Sequence, residues 1–159
     1  MEKGALISNC SLKELNTWQC GGRCLWLAAP ASVSEAASLI EIARDSSTEL
    51  YVLGGGSNIL VQDGLLNAGV ISSAAMDSLT LREEGGAVFA EAGAGLPVRK
   101  MLALALERGL GGLAFLAGIP GTVGGALYGN AGAAGESFAP LVEWIETLSR
   151  NGEPRRWRR

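Results

Sequence analysis

The residues able to do chemistry in this chain are concentrated in two glycine-rich segments. The first is Gly54-Gly55-Gly56-Ser57-Asn58, which follows directly on the apolar run Leu50 to Leu53. A strand that ends in three glycines leaves several backbone N–H groups unpaired and able to converge on one point. Such a nest binds anions, and only glycine takes the mixed-sign φ angles without steric cost. Ser57 and Asn58 add side-chain donors. A tight strand-to-strand turn would use the same residues, so the segment alone does not decide between the two.

The second segment is Gly118-Ile119-Pro120-Gly121-Thr122-Val123-Gly124-Gly125-Ala126, followed by Asn130-Ala131-Gly132-Ala133. Thr122 is placed to cap a short helix whose first N–H groups face outward as a second anion cradle. The flat backbone of Gly124-Gly125 is able to lie against a planar ring; close packing of a helix through glycine is the competing account. Two cradles in one small chain fit a pyrophosphate held from two sides. Neither is a P-loop, since no Gly-Lys-Ser/Thr follows. Neither is a Rossmann fingerprint, since isoleucine stands at the third glycine position after Gly54-x-Gly56.

Composition removes other chemistries. The chain has no histidine, which excludes Ser-His-Asp and Cys-His catalysis and imidazole-based zinc sites. Its three cysteines, Cys10, Cys20 and Cys24, are an odd number without C-x-x-C pairing, and read as idle thiols of a reducing cytoplasm. The N-terminus has no apolar signal core. Residues 109–135 carry no charge, but Pro120, Asn130 and ten glycines interrupt them, which argues against a membrane span. The net charge of −3 hides a basic end: residues 150–159 hold five arginines beside Glu153 and Trp157. In an acidic chain this is a weak nucleic-acid footprint, and the expectation is one exposed polar strand of a hairpin.

The elements that must position the glycines follow from spacing. Residues 1–16 lack periodicity and read as an arm. Leu25 to Ala29 predicts a strand. Ser32 and Glu35 form a capping box for a helix over 33–45, with Ala36, Leu39, Ile40 and Ala43 on one face. Leu50 to Leu53 predicts a strand, Asp63-Gly64 a turn, and Val70-Ile71 the end of a first unit. Leu79 to Arg82 and Ala87 to Glu91 predict a hairpin around Gly85-Gly86. Pro97 at a first-turn position opens a helix whose apolar face is Val98, Met101, Leu102, Ala105 and Leu106, ended by Gly109. Leu141 to Ser149 predicts a strand, Asn151-Gly152 a hairpin turn, and Arg155 to Arg159 the start of the return strand.

Three motifs, in order and approximate spacing, resemble the UDP-N-acetylenolpyruvoylglucosamine reductase family: Leu53 to Val61, Ala117 to Ala126, and Asn130 to Ala133. Asn16-Thr17-Trp18 with Gly21-Gly22 is similar to the start of that family's flavin domain, so the resemblance runs from about Asn16 to the end. Gln19 stands where the family usually has arginine, and Cys20 where it has a small apolar residue. The resemblance implies an α+β fold of the vanillyl-alcohol-oxidase/p-cresol-methylhydroxylase type, with two subdomains holding FAD between them: an arm over 1–16, a first subdomain over 17–72 and a second, incomplete one over 73–159. It implies a cytoplasmic, NADPH-dependent reduction of an enolpyruvyl sugar nucleotide to UDP-N-acetylmuramate in peptidoglycan precursor synthesis. Gly54 to Asn58 and Gly118 to Gly125 would hold the pyrophosphate, with Asn130, Ala131 and Gly132 near the ring system. The family's catalytic arginine, its serine or cysteine proton donor and a glutamate belong to a later segment and a C-terminal substrate domain, both expected to be absent here. No catalytic residue is therefore assigned, and the chain alone is expected to be inactive. A flavin-binding remnant or split-gene module without turnover is the alternative, and another dinucleotide or sugar-nucleotide binder a third. No metal, nucleic-acid or membrane partner is expected.

Overall fold

A computed structural model describes residues 6–159. The first half is built on a four-stranded sheet in the order β1-β2-β4-β3, where β1 is Leu6–Ser11, β2 Arg23–Ala28, β3 Glu49–Leu53 and β4 Leu65–Ser72. β1 runs antiparallel to β2, whereas β2, β4 and β3 are parallel. Parallel neighbours need a crossover. Between β2 and its parallel neighbour β4 that crossover is α1 (Val33–Asp45) followed by β3. Between β3 and β4 it is the irregular stretch 54–64, and no helix opens after the three glycines.

α1 begins as its sequence predicts. The Ser32 hydroxyl accepts from Glu35 N–H at 3.2 Å, and the Glu35 carboxylate accepts from Ala31 N–H at 2.8 Å. The Glu35 N–H, one of those the first helical turn leaves unpaired, is thus satisfied, while the Glu35 carboxylate reaches one residue past the cap, to Ala31 rather than Ser32. Ala36 and Ala43 are buried under the helix.

Within the arm expected over 1–16, the described residues include a strand that the lack of periodicity did not predict. Leu6–Ser11 forms an edge strand in register with β2, Cys10 opposite Cys24. Its side chains are mostly exposed, so burial imposes no alternation on the sequence, and the pairing is fixed by β2. Residues 1–5 of the expected arm lie outside the described residues.

The second half starts with the hairpin β5 (Leu79–Glu84) and β6 (Ala87–Ala92). Gly85 and Gly86 take φ of +60° and +79°, the left-handed pair that a two-residue turn requires. α2 (Val98–Glu107) follows, with Pro97 at its N-cap, one place before the expected first-turn position. Val98, Met101 and Ala105 are buried, but Leu106 is 71% exposed and does not belong to the packed face. Then come α3 (Val123–Tyr128), the short ladder β7 (Gly132–Ala133) and β8 (Glu136–Ser137), and the hairpin β9 (Trp144–Leu148) and β10 (Pro154–Arg158). The strand expected from Leu141 starts three residues later, because Ala139–Leu141, with Pro140, makes a 3-10 turn.

Each half has its own buried cluster. One joins Leu12, Cys24, Leu27, Leu53 and Val70. The other joins Leu96, Val98, Met101, Phe115, Leu116, Val123, Ala126 and Phe138. Among the described residues no helix is long and apolar enough to cross a membrane.

The arginine-rich end is the exposed hairpin strand its pattern predicts. Arg156 lies over the Trp144 ring at 4.2 Å and pairs with Glu146, and Arg155 pairs with Glu153 at 3.5 Å. Trp157 donates its indole N–H to Thr147 Oγ1 at 3.0 Å. With Arg156 paired across the hairpin and Arg155 paired with Glu153 beside it in sequence, filter binding at low salt should detect only weak association with DNA or RNA. Tight binding that survives physiological salt would contradict this reading.

Candidate cofactor site

The eleven residues 54–64 have to leave the carboxyl end of β3 and return to the amino end of β4. They therefore begin in the crevice beyond the carboxyl ends of the parallel strands, where open α/β sheets place ligands. Among the described residues, the N–H groups of Gly55, Gly56, Ser57 and Asn58 have no backbone or side-chain acceptor. Four successive donors without an acceptor outside the sheet are what an anion nest would draw on. Gly56 has φ +67°, which a side chain would strain.

The second glycine segment packs directly on the first. A β-carbon built at Gly55 would lie 2.8 Å from Gly121 Cα, and one at Gly54 would lie 2.8 Å from Thr122 Oγ1. Ser57 Oγ donates to Pro120 O at a long 3.4 Å. Gly121, at φ +108°, is itself approached by Ser57 Oγ. The glycines are thus required for two backbones to approach, and their free N–H groups are left at the common edge. Close packing, one of the two accounts of these segments, is thus observed.

Thr122 caps α3: its hydroxyl accepts from Gly125 N–H at 3.3 Å. Backbone bonds from Val98 N–H to Gly121 O (3.0 Å) and from Val123 N–H to Leu96 O (2.8 Å) tie this loop to the start of α2. Gly121 and Thr122 N–H remain without acceptors among the described residues. Gly124 is committed to packing, with its N–H on Ala94 O at 2.9 Å and no room for a β-carbon beside Ala94; of the Gly124-Gly125 pair only Gly125 is exposed. Gly118 (φ +82°) and Pro120 are exposed, and Ile119 is half-buried against the second core. Asn130 takes φ +43° and its Oδ1 accepts from Ala139 N–H at 2.9 Å, while Ala131 N–H bonds to Ala126 O. Gly132 fits against Glu136 O with no space for a side chain. Asn130, Ala131 and Gly132 are thus held as one braced turn after α3. Thr122→Ala should remove the cap and cost about 1 kcal/mol. A thermal melt should show that as a fall of about 2–4 °C; an unchanged melting temperature would mean that the cap carries no stability.

A concavity of about 360 Å³ opens beside the first loop, lined by Glu14, Leu15, Asn16, Thr17, Leu53, Gly54, Gly55, Ser72 and Ala74. Glu14 to Thr17 were not assigned to the cofactor site from the sequence. Their signal there is the resemblance of Asn16-Thr17-Trp18, with Gly21-Gly22, to the start of a flavin domain. Other chemistries find no support. Burial pushes the Cys24 thiol above its ordinary range, so it stays protonated and unreactive at neutral pH. Among the described residues no group of three or more cysteines or carboxylates is placed to hold a metal. Free N–H donors on two apposed glycine loops beside an open concavity suit a dinucleotide cofactor with a diphosphate.

A family profile described as "FAD binding domain" matches residues 25–157. This chain belongs to the FAD binding domain family. Its cofactor is FAD, and the family is one of FAD-dependent oxidoreductases. The domain is 40% identical over 151 residues to UDP-N-acetylenolpyruvoylglucosamine reductase of Geobacter metallireducens, covering 95% of this chain and 49% of that protein. With the same-named protein of Rubrobacter xylanophilus it shares 39% identity over 137 residues, 86% of this chain and 45% of the relative. The FAD binding domain thus spans about half the length of the curated relatives it matches. The crystal structure of UDP-N-acetylenolpyruvylglucosamine reductase from Thermus caldophilus superposes with a TM-score of 0.77 at 28% identity, over 98% of this chain and 52% of that one. 6-Hydroxy-D-nicotine oxidase from Arthrobacter nicotinovorans, at 21% identity and a TM-score of 0.73 over 98% of this chain and 36% of that one, shares the fold. The architecture is the α+β FAD-binding fold of the vanillyl-alcohol-oxidase/p-cresol-methylhydroxylase type.

Proposed function

We propose that this FAD binding domain is the flavin-holding portion of a UDP-N-acetylenolpyruvoylglucosamine reductase. The complete enzyme would work in the cytoplasm, taking hydride from NADPH and reducing an enolpyruvyl sugar nucleotide to UDP-N-acetylmuramate for peptidoglycan synthesis. Residues 17–72 and 73–159 would be the two FAD-binding subdomains. The observation that carries the reading is the apposition of the two glycine segments, Gly55 against Gly121 and Ser57 against Pro120. The names of the relatives supply the substrate.

Bound FAD would supply the hydride chemistry, and the chain's own groups would bind and orient it. The N–H groups of Gly55 to Asn58, with those of Gly121 and Thr122, would take the pyrophosphate oxygens. Gly54, Gly118, Ile119, Pro120, Gly124 and Gly125 would shape the two backbones around it. Asn130, Ala131 and Gly132 would form a wall near the ring system. None of these groups is a proton donor of suitable strength, and no catalytic residue is assigned.

The test uses the protein of the relatives' full length. Incubated with NADPH and the enolpyruvyl sugar nucleotide, it should give the lactyl product by mass spectrometry. A flavin-loaded protein that consumes NADPH but forms no lactyl product would refute the substrate assignment.

A further inference from the structure

The segment between β1 and β2 clasps the glycine loop at both ends. Thr17 N–H donates to Gly56 O at 3.0 Å, while Gly22 N–H donates to Gln62 O at 2.9 Å. A β-carbon at Gly56 would fall 2.0 Å from Leu15 O and 2.7 Å from Asn16 Cα, so the clasp presses on the residue with φ +67°. The clasp is in turn closed from inside. Asn16 is 6% exposed, and its Nδ2 donates to Leu12 O at 2.8 Å and Cys20 O at 2.9 Å, with Lys13 O at 3.4 Å. Its Oδ1 is buried without a partner among the described residues.

A buried acceptor without a partner is destabilising, so what Asn16 contributes lies in what its other end does. That other end draws together two carbonyls eight residues apart in sequence and sets the curve of the chain that carries Leu15 and Thr17. We propose that Asn16 is a positioning residue for the phosphate loop: by closing the 12–20 clasp it holds Gly56 in its left-handed conformation and so aims the N–H groups of Gly55 to Asn58. The inference rests on the proposed role of that loop toward the FAD pyrophosphate. It assigns Asn16 no contact with the cofactor.

The experiment compares Asn16→Ala, Asn16→Ser, Ser32→Ala and Gly55→Val with wild type, using FAD titration by flavin fluorescence and ³¹P resonances of the bound pyrophosphate. Ser32→Ala is the stability control, since it removes a cap at α1 away from the loop. Asn16→Ala should weaken FAD binding by about tenfold or more and shift the ³¹P resonances. Asn16→Ser, which keeps one short donor, should fall between it and wild type, and is the variant to read if alanine prevents folding. Ser32→Ala should lower the melting temperature and leave both flavin readouts unmoved. Wild-type affinity and unmoved ³¹P resonances in both Asn16 variants would overturn the proposal, as would an effect no larger than that of Ser32→Ala at equal loss of stability. If those results appear while Gly55→Val still abolishes binding, the phosphate loop stands and only the role of Asn16 falls. If Gly55→Val binds normally, the loop assignment fails and the proposal falls with it.

Discussion

Gly55→Val should abolish measurable FAD binding and leave the protein folded. Any β-carbon at Gly55 meets backbone: Gly121 Cα at 2.8 Å, Gly121 C at 3.3 Å and Thr122 N at 3.5 Å. No side-chain end is there to swing away, so the two loops have to separate. Separation moves the N–H groups of Gly55 to Asn58 away from those of Gly121 and Thr122, and a diphosphate can no longer be reached from both sides. Each hydrogen bond to a charged group contributes roughly 1.5–3 kcal/mol. Losing two of them weakens binding by about two orders of magnitude or more. The fold tolerates the change because Gly55 is exposed and contributes to neither buried cluster. Circular dichroism should therefore match wild type while fluorescence titration finds no saturable flavin binding. Equal FAD affinity in the two proteins would remove the loop from the site.

What the sequence made legible was local. Ser32 with Glu35, Thr122 before Gly125, and Gly85-Gly86 each state their geometry within four residues, and each forms as expected. The glycine clusters were legible for a related reason: an omitted side chain records a neighbour even when the neighbour is remote. Which neighbour it is was not legible. Ser57 and Pro120 are 63 residues apart, and only the folded chain shows that Gly55 faces Gly121. The edge strand Leu6–Ser11 escaped because exposed side chains carry no alternation. Leu106 looked like a core residue at helical spacing, yet it points outward because the packed face of α2 is only as wide as Val98, Met101 and Ala105. Asn16 gave no local sign of its place, since its partners are backbone carbonyls rather than side chains.

A polypeptide of residues 1–159 alone should bind FAD yet show no reductase turnover. Reduction of an enolpyruvyl group places negative charge on the substrate and then requires a proton. A fixed cation and a proton donor within hydrogen-bond reach must meet those demands. The polar side chains at the two glycine segments are Ser57, Asn58, Thr122 and Asn130, all neutral. Thr122 Oγ1 already caps α3, and Asn130 Oδ1 is held by Ala139 N–H. No histidine exists in the chain to activate a hydroxyl. Of the C-terminal arginines, Arg156 is committed to Glu146 and Trp144, and Arg159 donates to Pro140 O at 2.6 Å. Losing one oxyanion-stabilising donor typically costs about 10²–10³ in rate. Among the described residues neither the cation nor the acid stands at the two glycine segments, so product should fall below detection even with saturating FAD and NADPH. Under the proposed function those groups belong to the half of the relatives' length that these residues do not span. The same assay as for the full-length protein decides the matter. Lactyl product at an ordinary enzymatic rate from residues 1–159 would mean that an acid and a cation do lie within them, with the carboxyl of Glu14 on the rim of the 360 Å³ concavity the first group to mutate.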